Sequence, residues 1–573
     1  MTSVLVALAA CAVAAGGGST AVGATPHSLS AIDHVVVIYE ENHSFDNLYG
    51  GWEGVNGLAN ADAAHTTQVS QAGAPFSCLL QNDVNLTSPS PLATTCNDSR
   101  TSSPFQSAFT NKPFAIDNYI APTDTTCPAP GAFAAHGVAK GSGLAGGCTE
   151  DLVHRYYQEQ YQLDGGKQDR YVTGSDVVGL SMGTYNTRSL PIYQYLHQDG
   201  HPHYAIADNL FQGAFGGSFL NHQWLIAAAT PAFPNPPSGL RSVIDANGMP
   251  ASSPLYAATG PVADKAVTAT CAQATAAGKP DVGCGDYAVN TTQPPYQPYS
   301  PGTPAANLLP PQHQTTIGDE LSSAGVGWAW YSGGWSNADG DVGAPGWSNG
   351  TAPLAANASS SAPCPNPGAN PKAMWPNCAD KLFQFHHQPF SYFANYAPGT
   401  SARAAHLRDE AEFQSLLGDS ASSCQLKPVS FVKPIGAENE HPGYTGETQG
   451  SDHLVNLLKS IEGSSCAKNT MVVVTYDEFG GAWDHVPPPG QGATAGPHDK
   501  WGPGTRIPAL IVSPGLRGDY VVDHTEHDTT SILATIEHRY GLAPLGSRDA
   551  AVPDLGSVFA AHSPSDETGG SAG

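Results

Sequence analysis

Two short apolar runs, one near each end of the chain, finish in adjacent carboxylates, and no other feature limits the fold as much. The run HVVVIY (34–39) leads into Glu40-Glu41-Asn42, and MVVVTY (471–476) leads into Asp477-Glu478. Runs this short and this rich in β-branched residues read as strands buried on both faces. They predict strands at 32–39 and 471–476, with others at 507–513 and 429–432. Helical periodicity appears at 452–461, at 530–540 and after Ser218. Strands alternating with helices predict a layered α/β/α fold around a largely parallel sheet. In such sheets ligands bind beyond the carboxyl ends of the strands, which is where both acidic pairs fall. Buried paired carboxylates are costly unless neutralised, and a divalent cation neutralises them. A solvated turn is the plainer reading of either pair taken alone.

The 573 residues would suggest three or four domains by length. Low charge content (13%) with 63 Gly and 48 Pro instead suggests long irregular loops on one scaffold. Residues 55–150 and 230–380, rich in Pro, Gly, Ser, Thr and Asn, read as insertions, and the tail 562–573 reads as disordered. A net charge of -26 argues against nucleic acid as a partner. The 22 histidines nearly equal the 23 Lys and Arg, so much of the positive charge would appear only below about pH 6.5.

Residues 1–24 read as an export signal, with small residues at Val22-Gly23-Ala24. Leu8-Ala9-Ala10-Cys11 alternatively resembles a lipobox that would place lipid on Cys11. No later segment has the length of a transmembrane helix. Ten further cysteines, without zinc-knuckle spacing, suggest disulfides. Sequential pairing is the expectation: 78–96, 127–148, 271–284, 364–378 and 424–466.

Several long motifs resemble a known group. They are HVVVIYEENHSFDNLYG (34–50), DLVHRYYQEQ (151–160), DNLFQGAFGGSFLNHQWLIAA (208–228), FHH (385–387), NEHPGY (439–444), YDEFGGAWDHVPPP (476–489) and GPGTRIPALIVSPG (502–515). The chain resembles the bacterial phosphoesterase family of phospholipases C and acid phosphatases, within the alkaline-phosphatase superfamily. The resemblance implies one catalytic domain over 25–561, because residues near 41 and 477 must share a site. It implies that Ser218 is the nucleophile and also touches the metal. Glu41, Asn42, Asp477 and Glu478 become the other metal ligands, with Glu478 at a position where relatives vary between Asp and Glu. His154, His386, His387 and His441 would surround the phosphoryl group, as would Asn42.

The residue types suit that chemistry. Gly216-Gly217 let the backbone approach closely, and a helix beginning at Ser218 would offer free N–H groups to an anion. Ser218 as an ordinary helix N-cap is the competing reading. Oxygen ligands favour one Ca, Mg or Mn ion over Zn. Histidines can donate to phosphate oxygens and protonate a leaving group, and their charge at mildly acidic pH would suit an acid phosphatase. His485 reads as support behind the site, and 524–528 (HTEHD) as capping and a solvated loop. Phospholipase C members typically carry Thr followed by Pro-Asn in the nucleophile motif. Ser218-Phe219-Leu220-Asn221-His222 is the form of the acid phosphatase branch. The expected function is therefore hydrolysis of small phosphomonoesters through a phosphoserine, outside the cytoplasm. The alternatives are a phospholipase C acting on phospholipid and a non-catalytic metal-binding surface protein.

Overall fold

The expected strand at 32–39 forms as β1 (His34–Glu40), whose six residues after His34 are all buried. The computed structural model describes residues 28–79, 96–98, 105–107, 109–118, 151–175, 178–248, 264–300, 302–349, 379–380, 382–492 and 494–564. The expected export signal and Cys11 lie outside the described residues, as does the tail from 565.

Seven further strands join β1: β2 (Tyr204–Ala207), β3 (Trp328–Ser332), β4 (Leu407–Asp409), β5 (Val429–Lys433), β6 (Thr470–Tyr476), β7 (Ala509–Val512) and β8 (Tyr520–Asp523). Their spatial order is β8-β2-β7-β6-β1-β5-β3-β4. Only β7 is reversed, pairing antiparallel with both β6 and β2. The parallel core is β6-β1-β5-β3-β4. All seven β6 residues are buried, as expected of a strand covered on both faces. Each buried Val there contributes about 1.5–3 kcal/mol of hydrophobic stabilisation.

Helices α1 (Tyr156–Leu163), α2 (Ser218–Ala227), α3 (Glu447–Glu462) and α4 (Thr530–Tyr540) bear on the site. The last matches expectation, whereas α3 begins five residues before the expected 452. Its first turns bury Glu447, Gly450 and Ser451 rather than aliphatic residues, so no apolar period marks them. Residues 230–380 are not all insertion, because β3 lies within them. WAWYS is short and aromatic, and its burial at the centre of the fold (Trp328 and Trp330, both 0% exposed) comes from tertiary packing.

Two expected disulfides form, Cys271–Cys284 and Cys424–Cys466. Cys78 is also disulfide-bonded, while the expected 127–148 and 364–378 pairs fall outside the described residues. Among the described residues, no helix is long and apolar enough to cross a membrane.

Candidate active site

Strand register brings the two acidic pairs together. β1 and β6 run parallel with Glu40 opposite Tyr476, so Glu41 and Asp477 leave adjacent strands side by side. Asp477 N–H donates to Glu40 O at 3.1 Å. Asn42 then turns into the left-handed region (φ 62), which Asn tolerates better than most residues. Its N–H donates to Asp477 Oδ1 at 3.2 Å. Gly480 is required beside this turn, since a Cβ there would sit 2.2 Å from Asn42 O. Strain of this kind gathers at functional sites.

Ser218 arrives from the other side. The N-cap of α2 is Gly217, with no side-chain cap, and Ser218 is the first helical residue. The ordinary-cap reading therefore fails. Ser218 Oγ donates to Glu41 Oε2 at 3.2 Å and lies 3.5 Å from Asn42 Oδ1. The uncapped helix start leaves backbone N–H groups beside the hydroxyl, a natural seat for an anion.

Glu41, Asp477 and Glu478 are each fully buried. Burial pushes all three carboxyls up, and Asp477 repels both Glu41 and Glu478. Asp477 Oδ2 and Glu478 Oε1 are buried and receive no hydrogen bond. Oxygens in excess of donors fit a hard divalent cation, which Glu41, Asn42, Asp477 and Glu478 would hold.

Lys433, missed from sequence, is the counter-charge already present. It ends β5 fully buried, forms an ion pair with Glu41 Oε1, and donates to Tyr39 O at 2.8 Å and Glu40 O at 3.3 Å. A lysine directly after the apolar run VSFV, at the end where the acidic pairs emerge, was the available signal.

The histidines line the same space. His387 Nε2 lies 3.1 Å from Glu41 Oε1 and His154 Nε2 lies 3.5 Å from Glu478 Oε1. His441 Nε2 accepts from Asn42 Nδ2 at 3.0 Å, and the His386 ring sits 4.5 Å from that of His387. His222, also missed, stacks on His387 at 4.9 Å and lies 3.7 Å from Asp477 Oδ2. Four residues beyond Ser218 on one helix, it shares that face. Ligand atoms of Glu41, His222 and His387 lie within 4.8 Å of one another. His222 Nδ1 bonds Ser218 O at 2.8 Å, leaving its buried Nε2 without a partner, as in a metal-ligating histidine held by a carbonyl.

One expectation needs correction. Burial first, then the Lys433 charge, pushes His386 down to about 3 and His387 well below the ordinary histidine range. Burial and then His154 do the same to His441. Burial and the neighbouring positive groups thus both disfavour the charged form of these three histidines.

The acidic group behind the site is already neutralised. Asp46, Asp484 and His485 have metal-like spacing, yet Arg506 fills the space, lying 3.2 Å from Asp46 and 3.1 Å from Asp484. His485 Nδ1 meets Asp46 at 2.5 Å, so it supports the loop after β1 and is not itself part of the site. The 524–528 run is also more buried than expected. His527 and Asp528 are each 1% exposed, and Asp528 accepts from Thr530 N–H at 2.6 Å.

A serine at a helix start thus faces carboxylates that follow two adjacent strands of a mostly parallel α/β sheet. The chain belongs to the phosphoesterase family, whose model matches residues 32–543. It is 33% identical over 160 residues to "Phospholipase C B" of Mycobacterium tuberculosis (strain ATCC 25618 / H37Rv), covering 24% of this chain and 30% of that protein. It is 30% identical over 145 residues to "Non-specific phospholipase C6" of Arabidopsis thaliana, covering 22% and 28%. The chain thus spans under a third of the length of these curated relatives. A solved structure of a protein in the alkaline phosphatase superfamily from Vibrio parahaemolyticus aligns at a TM-score of 0.20 and 15% identity, over 42% of this chain and 52% of that one.

Proposed function

We propose that this protein is an exported phosphomonoester hydrolase that works through a phosphoserine at Ser218 and needs one divalent cation. The observation that carries the reading is the Ser218 hydroxyl, 3.2 Å from Glu41 Oε2 at an uncapped helix start. When bound, the cation supplies positive charge to the phosphoryl oxygens and lowers the serine pKa. Ser218 Oγ attacks phosphorus as the bond from phosphorus to the leaving oxygen breaks, and the hydroxyl proton passes to Glu41 Oε2 along their hydrogen bond. Backbone N–H groups at the start of α2 take the phosphoryl oxygens. His154 is the histidine suited to protonate the leaving oxygen, because it also lines an open cavity of about 220 Å³. Water then cleaves the phosphoserine. The Cys271–Cys284 and Cys424–Cys466 disulfides accord with export.

That cavity favours a small polar leaving group. Among the described residues it is lined by Asp151, Arg155, Asn290 and Thr291 together with small or aliphatic residues, and the only ring facing it is the His154 imidazole. The second reading, cleavage of phospholipid head groups, draws on relatives named as phospholipases C. The two are separated by assaying p-nitrophenyl phosphate against phosphatidylcholine in mixed micelles. The reading expects at least tenfold higher kcat/KM on the monoester, a difference of about 1.4 kcal/mol in barrier. A preference for the lipid would reverse it.

A further inference from the structure

The loop that delivers Ser218, residues 213–217, is pressed against the chain entering α1. A Cβ on Gly216 would meet Tyr156 N at 2.7 Å, and one on Gly217 would meet His154 O at 2.9 Å. Close packing alone leaves the loop's polar groups to be satisfied. Asn221 accepts from Ala214 N–H at 2.9 Å and its Nδ2 faces Gly216 O at 3.1 Å, and two further fully buried side chains, neither bonded to Ser218, also hold the loop. Glu159, from α1, accepts from Gly216 N–H at 2.5 Å and Gln212 Nε2 at 3.0 Å through one oxygen. Its other oxygen accepts from Thr505 N–H at 2.7 Å and the Thr505 hydroxyl at 2.8 Å.

Gln212 extends the network to the acidic pair. Its Nε2 also faces Ala214 O at 2.7 Å and Gly216 O at 3.0 Å, and its Oε1 accepts from Phe479 N–H at 3.0 Å. One side chain therefore ties the serine loop to the turn that carries Glu478. The donors around Glu159 also select its chemistry. Two backbone N–H groups and an amide nitrogen can only donate, so a neutral acid has only the Thr505 hydroxyl to receive its proton. An amide in place of the carboxyl would set an NH2 group against an N–H.

We propose that Glu159, acting through Gly216 and Gln212, is a positioning residue that fixes Ser218 Oγ relative to Asp477 and Glu478. The proposal rests on Ser218 being the nucleophile. A displacement of about 1 Å at a reacting atom can cost about a hundredfold in rate, and the buried Glu159 carboxylate, accepting four hydrogen bonds, joins this loop to Gln212 and Thr505.

The test uses the full chain loaded with its metal and p-nitrophenyl phosphate as substrate. Glu159→Gln should lower the melting temperature, because it sets an NH2 group against a buried N–H, and should lower kcat of the folded fraction by about tenfold or more, while KM and metal content stay near wild type. Glu159→Asp, which keeps the charge, should recover part of that loss. If Glu159→Gln does not fold, Gln212→Met decides the matter by the same kcat-only criterion. An unchanged kcat would overturn the proposal. So would a loss that appears in KM or metal content, or that tracks the unfolded fraction. Ser218→Ala runs alongside: activity retained there would sink the nucleophile reading itself, whereas an inactive Ser218→Ala with an unaffected Glu159→Gln would sink only this proposal.

Discussion

Ser218 Oγ and Glu41 Oε2 lie 3.2 Å apart across 177 residues of sequence. Glu41 is placed by the β1–β6 register and Ser218 by the glycine pair ahead of α2. The pair joins the sheet's acidic edge to a helix start that can bind an anion, and buried Lys433 pairs with Glu41.

Lys433→Met should destabilise the metal-free protein by about 3–5 kcal/mol, because it leaves the buried Glu41 charge unpaired. Bound cation would offset part of this loss. Thermal melting with and without EDTA should therefore show a wider gap in the variant than in wild type. Equal gaps would mean that Lys433 does not neutralise Glu41.

Arg506→Met should lower stability by a similar amount, about 3–5 kcal/mol, since it strands Asp46 and Asp484. Asp46→Asn should lower the melting temperature without changing metal content by elemental analysis. A loss of bound metal in Asp46→Asn would show that this group binds a cation after all.

Asp523 gives a pH signature. Burial pushes its carboxyl up, but hydrogen bonds from His527, Ser557 and Thr525 outweigh this and hold it down at about 2 from an ordinary 3.8. A depressed acid stabilises the fold above its unfolded value and loses that contribution as pH falls through its folded value. The pair of values corresponds to about 2 kcal/mol, lost between about pH 4 and pH 2. Asp523→Asn should be less stable than wild type at pH 6, and the difference should shrink toward pH 2 in urea titrations. A constant difference would refute the assignment.

The core strands and the acidic pairs were legible because a short, period-free apolar run that stops at two carboxylates fits little except a buried strand leading into a site. β1, β5 and β6 carry both the sheet centre and the site, so one pattern revealed both. β3 was not legible, because its burial depends on neighbours distant in sequence and its composition blends with the loops around it. Lys433 and His222 were overlooked for a related reason: a lone lysine or histidine acquires meaning only when register places it against Glu41 or Asp477. The histidine environments were not legible either, because burial, which sequence does not show, is the largest influence lowering His386, His387 and His441.

The most direct test of the central claim is the turnover of Ser218→Ala on p-nitrophenyl phosphate, measured with melting temperature and metal content on the same sample. The account predicts a fall in kcat of about a thousandfold or more, with both other quantities near wild type. A variant that folds, binds metal and retains kcat within about tenfold of wild type would contradict Ser218 as the nucleophile.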